Sequence, residues 1–101
     1  LETIKRLDIP VTIVVISNSV FGWIKAGQRS GYEGRYFSVD FTRTDHAAVA
    51  EAYGIKTWTV RDPAELGPAL KAAVELDKPT LVDVITQPLQ EARAPVSEWV
   101  A

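Results

Sequence analysis

Residues 14–25 read Val-Val-Ile-Ser-Asn-Ser-Val-Phe-Gly-Trp-Ile-Lys, a saturated apolar run that breaks into Ser17-Asn18-Ser19, with Gly22 and Trp23 close behind. Polar side chains and a glycine at the carboxyl end of a greasy strand are what an α/β protein uses to hold a ligand. The amide of Asn18 offers a neutral oxygen suited to a hard divalent cation such as Mg2+, and a turn just after it can supply a main-chain carbonyl as a second ligand. At Gly22 the absent Cβ lets backbone approach a bulky anion. Each residue also has a plainer reading. Asn18 is a good turn former and Gly22 a good turn, and an indole such as Trp23 often belongs to a core or an interface.

Other side chains carry less. His46, the sole histidine, titrates near neutrality, but it opens an Ala-rich segment with no partner triad in sight and is expected at the surface. Lys25, Arg29 and Arg35 could meet an anionic substrate or a coenzyme tail, although a solvated face is the ordinary reading. Asp83 lies inside an apolar run and must be hydrogen-bonded or at the end of a strand; its reading is structural. The absence of cysteine removes disulfide and thiolate chemistry and fits a reducing, cytoplasmic setting.

These groups need a scaffold. The chain has 101 residues, enough for one small domain. With a net charge of −2 and charges scattered along its length, no field gathers nucleic acid or anionic lipid, so neither nucleic acid nor membrane is an expected partner. The longest apolar stretch, broken by Pro10 and Thr12, is far short of the ~20 residues that cross a bilayer, and no signal peptide is visible. There is no methionine and the first residue is Leu1, so the chain is expected to be part of a longer protein.

Leu1, Ile4 and Leu7 recur at helical spacing until Ile9-Pro10 stops them. Residues 11–16 are a β-branched run without alternation, which predicts a central strand covered on both faces of a parallel sheet. Residues 19–43 show no sustained period yet hold six of the nine aromatic side chains, which predicts a long, folded, packed connection. Residues 45–53 predict a short helix with Gly54 at a left-handed C-cap. Residues 57–61 alternate as a half-exposed strand. Asp62-Pro63-Ala64-Glu65 is a helix start, and Pro68 predicts a kink or restart within that helix. Residues 79–86 predict the last strand, and the tail after Pro88, ending in Trp99, a looser surface segment. Strand, helix, strand at this spacing means βαβ units: an α/β fold, a parallel sheet with helices on both faces, present as an incomplete portion.

In order, the strand with Asn18 and then Gly22, Trp23-Ile24-Lys25-Ala26-Gly27-Gln28, Asp40-Phe41, Ala48-Val49-Ala50-Glu51-Ala52-Tyr53-Gly54, Pro63-Ala64-Glu65-Leu66 and Pro79-Thr80-Leu81-Val82-Asp83-Val84 resemble the C-terminal part of the diphosphate-binding domain of thiamine diphosphate-dependent enzymes. The resemblance is greatest to the acetolactate synthase-like branch. It covers residues 1–88, with 89–101 as a tail, and treats 1–101 as one domain portion.

The resemblance implies a particular site. The family's cofactor motif opens with Gly-Asp-Gly and closes with Asn-Asn, whose second Asn and a carbonyl two residues on bind Mg2+. Carried over, Asn18 and the Val20 carbonyl are the implied metal ligands, and Phe21, Gly22 and Trp23 flank the cofactor. Ser17 replaces the first Asn. Trp23, Ile24 and Gly27 line the substrate side. Acetohydroxyacid synthases often carry Gly-Met-Val and then a tryptophan; here Trp23 stands in the methionine place and Gly27 in that of the tryptophan, so the pocket is rebuilt. The Gly-Asp-Gly element is absent from this chain, as is the glutamate that another domain, usually of a neighbouring subunit, supplies.

The implied parent protein is a thiamine diphosphate- and Mg2+-dependent lyase or transferase that decarboxylates or ligates small 2-oxo acids. It would act with the remainder of its chain as a homodimer or homotetramer, with FAD left open, and the isolated chain would be inactive. The competing reading is a non-catalytic α/β module serving subunit association or regulation.

Overall fold

A computed structural model of the chain describes residues 1–91. Trp99 and the rest of the tail beyond residue 91 lie outside the described residues. The order of elements is α1 (Glu2–Arg6), β1 (Thr12–Ser17), α2 (Gly22–Gly31), α3 (His46–Ala52), β2 (Lys56–Val60), α4 (Pro63–Glu75) and β3 (Thr80–Ile85). Two compact units result, Leu1–Ser17 with Asp45–Thr86, and Asn18–Thr44 with the residues from Gln87 on.

The first unit is a three-stranded parallel sheet in the order β1-β3-β2. The last strand in sequence is therefore the middle one. Thr12 pairs with Thr80 and Ser17 with Ile85, which fixes where β1 stops. Trp58 and Val60 of β2 meet Val82 and Val84 of β3 beneath Leu66, Ala69, Leu70 and Ala73 of α4. On the opposite face Ile13, Val15 and Leu81 pack with Leu1, Ala50 and Ile55. Helices thus cover both faces, and Val82, fully buried at the centre, contributes on the order of 1.5–3 kcal/mol by burial alone.

The helix start read at Asp62 is built as expected, and Asp45 caps α3 in the same way. Asp45 Oδ1 accepts from the Ala48 N–H at 3.0 Å, and Asp62 Oδ1 accepts from the Ala64 N–H at 2.9 Å ahead of Pro63. Gly54 closes α3 with φ +74°, the left-handed conformation that glycine adopts without a Cβ penalty.

Three expectations are corrected. β1 is an edge strand, not the centre: Val14 is half-exposed and Ile16 is 72% exposed, because α4 spans β2 and β3 and stops short of β1. The region 19–43 is not irregular throughout, since α2 occupies ten residues of it. Glycines at 22, 27 and 31 had masked that helix, glycine being a poor helix former. Nor are its aromatics packed away, since Phe21, Trp23, Tyr32, Tyr36, Phe37 and Phe41 are all exposed. Pro68 does not restart α4, which is a single helix from Pro63 to Glu75. Its missing N–H leaves the carbonyl of Ala64 without the usual partner four residues on, near the start of the helix.

Candidate functional site

The second unit begins at Asn18, the residue directly after β1. Its Oδ1 accepts the Val20 N–H at 3.2 Å, a side-chain turn of the kind Asn favours. Ser19 between them takes φ +54°, a left-handed conformation costly for a residue with a Cβ. The chain is held there by a short antiparallel bridge of Val20 to Asp40. The Phe21 N–H donates to Val39 O at 2.8 Å and the Phe41 N–H to Ser19 O at 3.1 Å. The phenyl rings of Phe21 and Phe41 meet at 5.0 Å on the same ladder. The N–H and C=O of Val20 itself take no part in those two bonds, and its side chain is buried.

α2 then starts at Gly22 with Phe21 as N-cap and no side chain capping it. A helix N-terminus with its first N–H groups uncapped suits an anion, phosphate included. A Cβ on Gly22 would sit 3.8 Å from Asn18 Nδ2 and 4.0 Å from Val20 Cγ1, so hydrogen in its place keeps the space between turn and helix open. The Gly22 carbonyl accepts from Gln90 Nε2 at 3.2 Å.

The donor set suits Mg2+ in kind: an amide oxygen already aimed along the turn and a main-chain carbonyl two residues on, both hard and neutral. Among the described residues no group of three or more His, Cys, Asp or Glu side chains could hold a metal.

Trp23, Ile24 and Gly27 lie near one another on α2. With Tyr32, Arg35 and Phe37 they line an open pocket of ≈ 560 Å³. A Cβ on Gly27 would touch nothing within 4 Å. Gln28 clamps the far wall, its Nε2 donating to Phe37 O at 3.1 Å and its Oε1 accepting from the Phe37 N–H at 2.9 Å. The Phe37 ring, 82% exposed, is therefore held outward by a fixed backbone.

Two residues differ from their sequence reading. Lys25 is not on a solvated face: it is buried, and its Nζ donates to Asp40 Oδ1 at 2.8 Å. Its pKa is raised above 10.5, first by that hydrogen bond and further by the charge of Asp40, against the opposing effect of burial. His46 is half-buried rather than at the surface, with Nδ1 3.6 Å from Oδ1 of Asp83, whose carboxylate is fully enclosed in β3. The spacing of charges alone could have flagged neither pair, because fifteen and thirty-seven residues separate the partners.

A profile of the family described as thiamine pyrophosphate enzyme, C-terminal TPP binding domain, matches residues 1–84. A probable acetolactate synthase large subunit of Methanococcus aeolicus is 37% identical over 89 residues, 87% of this chain and 15% of that protein. The acetolactate synthase large subunit of Pyropia yezoensis is 33% identical over 85 residues, 82% of this chain and 14% of its own. A putative thiamine pyrophosphate-containing protein of Bacillus subtilis, YdaP, is 33% identical over 85 residues, 84% of the chain and 15% of that protein. The chain thus spans about one-seventh of the length of the curated relatives it matches. With the parallel sheet, the Asn18 turn and a family match across most of its length, this chain belongs to the C-terminal thiamine pyrophosphate-binding domains of thiamine pyrophosphate enzymes.

Proposed function

We propose that the protein carrying this chain is a thiamine diphosphate- and Mg2+-dependent enzyme that decarboxylates or ligates small 2-oxo acids, and that the chain supplies one half of the Mg2+ and diphosphate site. The observation that carries this reading is the Asn18 turn, in which Oδ1 is already fixed on the Val20 N–H at the strand end.

When bound, thiamine diphosphate supplies the electron sink that decarboxylation of a 2-oxo acid needs. The residues here bind and orient. Asn18 Oδ1 retains a second lone pair for Mg2+, and the Val20 carbonyl is the companion donor. The first N–H groups of α2 receive phosphate oxygens, with Gly22 leaving them room. Trp23, Ile24 and Gly27 form the apolar side on which the substrate rests. A carboxylate on the metal and an acid–base group come from the rest of the polypeptide and from a second subunit.

Calorimetric titration of the complete protein with thiamine diphosphate, with and without Mg2+, is the test. Asn18→Ala is expected to weaken the Mg2+-dependent component by about tenfold or more, the usual scale for disturbing a metal site. An unchanged affinity would remove Asn18 from the metal.

A further inference from the structure

Lys25 is an odd residue to hide. It lies one turn into α2, and its side chain is 11% exposed, while the carboxylate it reaches, Asp40, is 63% exposed. The same ammonium stands 5.0 Å from the centre of the Tyr36 ring, a cation–π distance. A lysine that only balanced a surface charge would keep its head in water. This one gives up hydration to hold one particular carboxylate.

The location of that carboxylate explains why. Asp40 is the residue that faces Val20 across the antiparallel bridge, and the bonds on either side of it are those of Val39 O and the Phe41 N–H. The Lys25 N–H, meanwhile, donates to Phe21 O at 2.9 Å. The contacts therefore close a ring: turn to helix through the backbone, helix to Asp40 through the Lys25 side chain, and Asp40 back to the turn through the bridge. Opening the ring at the ion pair removes the tie from the helix to Asp40 itself, leaving the Gln28 bonds to Phe37, three residues away, as the nearest hold of α2 on the bridge strand.

We propose that Lys25 and Asp40 are positioning residues that set the direction of the Val20 carbonyl and, through it, the affinity for Mg2+, without either touching the ion. The inference rests on the proposed metal role of Asn18 and Val20, and goes beyond it by assigning residues to neither ligand nor pocket.

The test uses the complete protein and calorimetry, reading two quantities: the Mg2+ concentration at half-saturation with thiamine diphosphate in excess, and the thiamine diphosphate affinity at saturating Mg2+. Lys25→Met and Asp40→Asn are each expected to raise the first by about tenfold and to leave the second unchanged, and Lys25→Arg, which keeps the ion pair, is expected to restore the first. Asn18→Ala serves as the reference. If Asn18→Ala impairs Mg2+ dependence and the Lys25 and Asp40 variants do not, the positioning role is wrong and the metal site stands. If Asn18→Ala has no effect, the metal reading fails and takes this inference with it. An equal loss in both quantities would also overturn it, since support for the fold alone moves both. Should Lys25→Met fail to fold, Asp40→Asn, which keeps the size of the side chain, decides alone.

Discussion

At the scale of single residues the site is an arrangement of things left out. Gly22 lacks a Cβ that would meet only ordinary contacts, so Gly22→Ala should leave the thermal midpoint of the ligand-free protein nearly unchanged while lowering cofactor affinity. Differential scanning fluorimetry and calorimetry on the same samples separate the two effects, and an alanine variant that binds as well as the parent would show that no phosphate lies over that position. Lys25 gives the pH prediction. Its pKa is raised above 10.5 through the hydrogen bond to Asp40, with Glu91 and Tyr36 adding smaller electrostatic effects. A cation with a raised folded-state pKa stabilises fully below its ordinary value and loses that contribution as pH climbs through the raised one. The stability difference between the parent and Lys25→Met should therefore hold flat through neutrality and close only on the alkaline side, in unfolding curves taken at successive pH. The strand end at Ser17-Asn18 was legible from type and spacing, because a strand end is a local signal. Lys25 with Asp40 was not, since only the folded bridge brings the two together.

At the scale of elements, helix ends are where the sequence spoke most clearly. Asp45 and Asp62 each accept a backbone N–H, and replacing either by alanine should cost about 1 kcal/mol. Gly54→Ala should cost about 1–2 kcal/mol, since φ +74° is left-handed backbone. Its new methyl would also press on Lys5 Cε at 3.1 Å, a flexible end that can move aside. Chemical denaturation of the three variants checks both figures. α2 stayed hidden for the opposite reason. Its three glycines erase propensity, its large apolar side chains Trp23 and Ile24 are exposed, and the residues it buries are Lys25 and Ala26, a lysine and an alanine that do not announce an apolar stripe.

At the scale of the whole molecule the parallel α/β plan was readable, while the order of its strands was not. Run length says that β1 is apolar; it does not say which neighbours a strand has. The exposed Val14 and Ile16 make β1 an apolar edge of the sort that recruits other chains. The 101-residue chain on its own is expected to self-associate in light scattering and to bind no thiamine diphosphate. A monodisperse, cooperatively unfolding monomer would contradict this. Val82→Ala, at the fully buried centre of β3, should cost about 2 kcal/mol or more.

The pairing order has a consequence for biosynthesis. Among the described strands β1 and β2 do not pair with each other; each is bonded to β3, which follows both in sequence. A ribosome adding roughly 5–20 residues per second leaves both earlier strands without their β3 partner until β3 emerges. Until then the bonds that each strand makes to β3 are unmade, and a translational pause after α4 would prolong that interval. Synonymous codons placed just before residue 80 are thus a point where the yield of folded protein can be altered without changing any side chain.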